Sequence, residues 1–396
     1  MENITGPPAR GEQLKFRDKD ISEILLRLSA GNSVLMIGLR RIGKSSVMWG
    51  VHDRAPGEWI TSYHDVQSMR SPTDFFTIML QSLPKGKREQ VIEYWSRAKT
   101  IPTRLLNFIK SHFKKLGGEG ISMEFQSSII DYWYPLTEGI EQALKNNEQP
   151  ILMVLDEFPL FVEHMLKEGS KPNMLEQMLG QLRTWRESNY RFRLLIGGSI
   201  SLDRILSKSK ISAHVISDLS RYLLSPLNRD EANAFLRELA ESHQISWYDD
   251  RLIDETLDLI QEYYPYFLQA FFQQIRNYGS PDQGMTILFE NYFIPAIRQS
   301  FFNQFLIRLR THYGKPAQTA ARAIFDLIST QEESIANYSQ IADIFSNMDE
   351  RGEVDLDELL YDLISDDFLY YDSRTNEYAF AASIVARWWQ ITRGRK

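Results

Sequence analysis

Not one of the 396 residues is a cysteine. That excludes a disulfide framework, a thiolate zinc site and a cysteine nucleophile. No apolar run approaches the roughly 20 residues that cross a bilayer. The start, Met1-Glu2-Asn3-Ile4, lacks the charged region and apolar core of a signal peptide. The expectation is therefore a cytoplasmic protein with no membrane partner. Internal repeats and low-complexity tracts are also missing. Positive charge is in short supply, with 45 Lys/Arg against 52 Asp/Glu and a net charge of −7. What is plentiful is core material: 43% of residues are hydrophobic, over a length that suits two or three domains.

The densest chemical signal is Gly38-Leu39-Arg40-Arg41-Ile42-Gly43-Lys44-Ser45, which fits the P-loop spacing G-x-x-x-x-G-K-[ST]. It follows an apolar run, Ser33-Val34-Leu35-Met36-Ile37, that reads as a buried strand. It precedes Ser46-Val47-Met48-Trp49, a first helical turn. Strand, glycine loop and helix thus come in the order a phosphate cradle needs. The glycines let backbone N–H groups approach the phosphates, and the helix N-terminus favours negative charge. Lys44 would reach the β- and γ-phosphates, and the Ser45 hydroxyl would ligate Mg²⁺. Arg40 and Arg41 lie inside the loop and would face either phosphate or a lid.

Pro150-Ile151-Leu152-Met153-Val154-Leu155-Asp156-Glu157 has the form of a Walker B strand. The first acid would hold the Mg²⁺ shell, and the second, Glu157, would polarise the attacking water as general base. A further strand, Phe192-Arg193-Leu194-Leu195-Ile196, ends in Gly197-Gly198-Ser199. Some P-loop ATPases place such a strand between the Walker A and Walker B strands. Ser199 is then a candidate sensor of the γ-phosphate or the attacking water, or simply a residue of a strand-ending turn.

These segments, with Gly6-Pro7-Pro8, Phe16-Arg17, Ser46, Leu155-Asp156-Glu157-Phe158-Pro159 and Gly198-Ser199-Ile200, resemble the archaeal-type AAA+ ATPases. That family is related to the STAND signalling ATPases and, more distantly, to origin-recognition ATPases. The likeness continues through Tyr222-Leu223-Leu224-Ser225-Pro226-Leu227-Asn228-Arg229-Asp230-Glu231-Ala232, similar to the family's approach to a helical lid, and Tyr264-Pro265-Tyr266-Phe267-Leu268-Gln269, similar to its lid motif. It implies ATP or ADP with Mg²⁺ as cofactors. Gly38, Arg40, Arg41, Ile42, Gly43, Lys44, Ser45, Ser46, Arg17 and Pro265 would be nucleotide contacts, with Pro265 near the base and ribose. Leu39 stands where the family commonly has proline, and Tyr264 where glycine is usual.

The expected architecture is α/β: a P-loop parallel sheet of the ASCE type with helices on both faces over residues 1–224. Within it lies a helical insertion at about 73–145, broken by Gly117-Gly118-Glu119-Gly120. Its Tyr94, Trp95, Phe108, Phe113, Phe125, Tyr132 and Trp133 would pack between helices rather than form a partner surface. A second strand is expected at Trp59–Tyr63 and a fifth at Arg221–Leu224. An all-α lid would follow over 225–310, opening with Asn228-Arg229-Asp230-Glu231, and a winged-helix domain over 311–396. In that domain Val354–Ile364 would hold the recognition position, and Phe368–Tyr371 and Glu377–Phe380 would form the wing.

From Ala317 onward there are seven Lys/Arg and fifteen Asp/Glu, so the winged helix carries the chain's whole negative excess. Asp355, Asp357, Glu358 and Asp362 lie on or beside its recognition helix. Duplex DNA draws most of its affinity for proteins from Lys/Arg at phosphates, so this helix should be repelled by it. A protein partner, or the chain's own core, is favoured. The leading reading is a slow, regulated ATPase acting as a nucleotide-controlled switch. The alternative is a DNA-associated ATPase, a loader or mobile-element regulator, whose basic face would come from Lys85, Lys87, Arg88, Lys110, Lys114 and Lys115. An NTP-dependent kinase is a distant third, with no acceptor site in view. Arg183, Arg186 and Arg221 flank the Walker B and sensor strands. Each is more readily a surface ion-pair residue; Arg186 is the candidate if one of them is an arginine finger serving a neighbouring copy, as in a homo-oligomer.

Overall fold

The structure is a computed structural model that describes residues 1–98, 101–107, 132–188, 191–280, 282 and 284–393. The glycine break at 117–120, Phe108, Phe113, Phe125, Lys110, Lys114, Lys115 and the tail 394–396 lie outside the described residues. The chain divides into two compact units. One joins Arg17–Ile37 to Lys44–Leu224, and the other joins Met1–Phe16 and Gly38–Gly43 to Ser225–Lys396.

The first unit is built on five parallel strands: β1 (Val34–Ile37), β2 (Ile60–Asp65), β3 (Ile151–Asp156), β4 (Phe192–Gly197) and β5 (Ser220–Leu223), in the order β2-β3-β4-β1-β5. Strand β4 therefore runs between β3 and β1, the position expected of the strand that ends in Ser199. Strand β3 is buried along its whole length, the mark of a parallel sheet covered on both faces. Its residues alternate by face with period two. Ile151, Met153 and Leu155 join the apolar cluster formed with helices α3 (Pro72–Ser82), α4 (Lys85–Ala98), α5 (Trp133–Lys145), α6 (Phe158–Lys167) and α7 (Pro172–Glu187). Helix α2 (Lys44–Asp53) packs on β2, β3 and β4 and against α1 (Asp18–Ser29). In the insertion, Trp95 and Trp133 are buried, 1% and 4% exposed, so these two aromatics are packing. A short helix α8 (Leu202–Lys208) follows β4.

The second unit opens its helical part with α9 (Arg229–Ser242) at Asn228. The Asn228 side chain accepts from the Glu231 N–H, and the Glu231 carboxylate accepts from the Asn228 N–H. This reciprocal box satisfies two otherwise unpaired helix donors. Helices α10 (Asp250–Ile260) and α11 (Pro265–Tyr278) follow, the latter with proline at its first position, where no N–H is needed. Residues 285–312 alternate α-helix with π-turns. We number their α segments α12 (Met285–Leu288), α13 (Ile294–Ile297) and α14 (Asn303–His312).

The C-terminal elements are α15 (Lys315–Thr330), β6 (Ile335–Asn337), α16 (Tyr338–Ser346), α17 (Leu356–Ser365), β7 (Leu369–Asp372), β8 (Glu377–Phe380) and α18 (Ser383–Arg393). The three strands form an antiparallel sheet in the order β6-β8-β7. Phe305, Phe325, Phe368 and Trp389 pack together beneath it. Glu262 caps α18, accepting from the Ser383 N–H at 2.6 and 2.7 Å and from its hydroxyl at 2.7 Å. Burial pushes the Glu262 carboxyl above its ordinary range, against those hydrogen bonds. Among the described residues no helix is long and apolar enough to cross a membrane.

Candidate nucleotide site

The loop between β1 and α2 holds three residues at positive φ: Gly38 (155°), Arg41 (72°) and Gly43 (106°). The glycines adopt this backbone without a Cβ penalty. Arg41 has no such freedom, and a single non-glycine residue there costs on the order of 1–2 kcal/mol. The turn is closed by the Ile42 N–H donating to the Leu39 carbonyl at 3.3 Å, with the Ile42 side chain buried. In the same unit, the Arg41 guanidinium lies over the Tyr266 ring, 4.8 Å from its centroid. The Arg40 Nη1 donates to Gln304 Oε1 at 3.5 Å, the long end of a hydrogen bond. Both arginines therefore touch side chains from the segment that the sequence assigns to a lid. Tyr266 belongs to the segment that resembles the lid motif, but nothing in its spacing, or in that of Gln304, ties it to the loop.

In the other unit, Lys44 begins α2 and is only 7% exposed; Ser45 and Ser46 complete the start of the helix. The first turn of α2 carries no acidic side chain. The positive dipole end of a helix favours negative charge, and no side chain of this turn supplies it.

Asp156 ends β3 and is 4% exposed. Its Oδ1 accepts from the Glu157 N–H at 3.0 Å and its Oδ2 from the Tyr63 hydroxyl at 2.7 Å. Tyr63 pairs with Val154 across the parallel sheet, so by the two-residue period Tyr63 and Asp156 share a face. The Tyr63 ring stacks on Trp49 of α2 at 3.7 Å and 12°. Burial, and then the charge of Asp156, push the phenol pKa far up, so Tyr63 keeps its proton and stays a donor.

Glu157 sits at φ 57°, ψ 30°, in the left-handed region between β3 and α6. Its Oε2 accepts from both the N–H of Ser199 (3.0 Å) and its hydroxyl (2.9 Å). Gly198 allows this approach: a Cβ there would lie 2.5 Å from Pro159 Cδ. The structure thus brings Glu157 and Ser199 together, with the serine donating to the carboxylate. Ser45 and Asp156 offer the hard oxygen donors that suit Mg²⁺, which typically takes one or two protein oxygens and completes its shell with phosphates and water. Among the described residues no group of three or more His, Asp or Glu is arranged to hold a metal ion.

Across 98% of this chain and 99% of its own, a Walker-type ATPase of Pyrococcus abyssi superposes with a TM-score of 0.62 at 16% identity. The ORC2 protein of Aeropyrum pernix, in ADPNP–ADP complexes, gives 0.51 at 14%, covering 100% of this chain and 98% of its own. This chain has their fold. No protein-family model matches the sequence, and the search of curated proteins gives no match.

Within that fold the remaining expected residues divide. Arg17, 4% exposed, pairs with Asp20 at 3.1 Å, and Asp20 also accepts from the Tyr222 hydroxyl at 2.6 Å, tying α1 to β5. Pro265 starts α11, preceded by the buried Tyr264, whose ring stacks on Phe267 at 5.2 Å. Arg186 forms an ion pair, the first of its two expected readings. It is 8% exposed and grips Asp218 with two hydrogen bonds of 2.7 Å while donating to the Val215 carbonyl at 3.0 Å. That is the geometry of a structural ion pair, whereas a finger must protrude towards a neighbouring copy. Arg221 is paired bidentately with Asp203, and Arg183 donates twice to Oε1 of Glu187. The sequence argument for a homo-oligomer rested on such a finger.

Proposed function

We propose that this chain is an ATP-binding and hydrolysing switch that hands its nucleotide state to a protein partner. The observation that carries the reading is the phosphate loop, in which a strained Arg41 lies on the lid residue Tyr266. A loop that must change its arginine contacts to receive phosphate has a built-in link to the lid. Lys44 and the N-terminal amides of α2 would hold the phosphates. Ser45 and Asp156 would hold Mg²⁺, whose chemistry when bound is to neutralise phosphate charge. With Oε2 engaged by Ser199, Glu157 would use Oε1 to take the proton of the attacking water. Turnover is expected to be slow and regulated.

We read residues 315–393 as a winged helix, supported by the order helix, strand, helix, helix, hairpin and by the β6-β8-β7 sheet. Its α17, begun by Asp355, Asp357 and Glu358, is a poor surface for a phosphate backbone. The deciding measurement is ATP turnover by the purified protein across a salt series, with and without duplex DNA. Turnover indifferent to DNA supports the switch. Strong DNA stimulation that fades with salt would replace it with the DNA-associated reading. In the same assay Lys44→Ala should abolish nucleotide binding, and Glu157→Gln should keep ATP bound while stopping turnover. Binding at normal affinity without Lys44 would refute the phosphate-loop assignment.

A further inference from the structure

The aspartate that would carry the metal shell is tied to a side chain that no motif contains. We propose that the Tyr63 hydroxyl is a positioning group for the divalent cation, orienting the Asp156 carboxylate towards the hydration shell of Mg²⁺. The inference rests on the nucleotide reading above.

Both Asp156 oxygens receive one hydrogen bond from within the protein, Oδ1 from the Glu157 N–H and Oδ2 from Tyr63. Two donors at opposite ends fix the plane of the carboxylate. Each oxygen accepts at two positions, so one on each remains for an outside donor. Mg²⁺ is strict about octahedral geometry and gives up water reluctantly. A buried carboxylate that meets its shell therefore acts through direction as much as through charge.

The Tyr63 ring is itself held by its stack on Trp49, in the helix that begins with Lys44 and Ser45. One phenol thus joins the two elements that supply oxygen to the cation. Phenylalanine could make the same stack, so packing alone does not call for the hydroxyl. Groups that orient metal-binding residues typically alter metal affinity about 10–100-fold when removed.

The test uses the full chain carrying Tyr63→Phe, which keeps the ring. ADP affinity is measured with excess EDTA and across a Mg²⁺ titration. Affinity in EDTA should stay within about twofold of wild type, while the Mg²⁺ concentration that gives half of the cation-dependent change should rise about tenfold or more. Trp49→Phe, which keeps a ring against Tyr63 and leaves its hydroxyl in place, should not move that midpoint. An unchanged midpoint in Tyr63→Phe overturns the proposal. So does an equal loss of affinity with and without Mg²⁺, or an equal midpoint shift in Trp49→Phe, since either assigns the effect to packing. Wild-type protein that binds no ADP in either condition would instead remove the nucleotide reading itself.

Discussion

At the scale of the single residue, Arg186 shows how burial decides between two chemistries open to one side chain. Its side chain and that of Asp218 are 4% and 14% exposed and meet through two short hydrogen bonds. Removing one partner of a buried pair strands the other charge, at about 3–5 kcal/mol. Asp218 keeps some access to water, so Arg186→Ala should fall near the lower end, about 3 kcal/mol, read from chemical denaturation. ATP turnover per folded molecule should be unchanged at every protein concentration. Turnover lost without any loss of stability would return the finger role to this residue. The sequence showed an arginine near the right strands but could not show Asp218, which lies 32 positions away. The same limit hid Tyr63 and Tyr266, whose tasks depend on cross-strand register and on a contact between distant segments. The positions of Lys44, Ser45, Asp156 and Glu157 were legible because the motifs they fit have fixed spacing at strand ends. Their positions at the start of α2 and the end of β3 follow directly from it.

At the scale of elements, helices α4 and α5 approach each other so closely that one residue has no room for a side chain. A Cβ on Gly139 would lie 2.3 Å from Trp95 Nε1, and that indole is 1% exposed and donates to the Pro135 carbonyl at 3.2 Å. Alanine would raise helix propensity by about 1 kcal/mol, while overpacking a fixed ring costs about 1–3 kcal/mol. Since the indole is anchored, the clash should win, and Gly139→Ala should be less stable than wild type by about 1 kcal/mol or somewhat more in denaturant unfolding. A more stable variant would mean that Trp95 can shift and that propensity governs the site. Period and capping made most elements readable: Asn228 to Glu231 forms the expected start of α9, and Glu377–Phe380 is a strand as read. Strand β2 was placed at residues 59–63 and found at Ile60–Asp65, with Asp65 as its last residue. The three-residue β6 is too short to show any alternation, and the π-turns of 285–312 leave no regular helical period to detect.

At the scale of the whole chain, the informative fact is that Gly38–Gly43 groups with Ser225–Lys396, although the chain on both sides of it belongs to the strand-and-helix unit. The loop's cation–π contact with Tyr266 and its hydrogen bond to Gln304 are part of that association. If Arg41 turns towards phosphate when nucleotide binds, its contact with Tyr266 must be given up, and the binding energy is reduced by what the contact was worth. A partly exposed cation–π pair is worth about 0.5–1 kcal/mol, which corresponds to about two- to fivefold in affinity. Tyr266→Leu, which keeps an apolar side chain on α11, should therefore bind ATP about two- to fivefold more tightly than wild type. It should also lose the nucleotide-dependent change in amide hydrogen exchange along α11, because coupling between two sites lasts only while a contact distinguishes the two states. Isothermal titration and exchange measurements on the same samples check both halves. Weaker ATP binding by Tyr266→Leu would mean that the ring supports the loop in its nucleotide-bound form, and the relay from loop to lid would then have to run through Arg40 and Gln304.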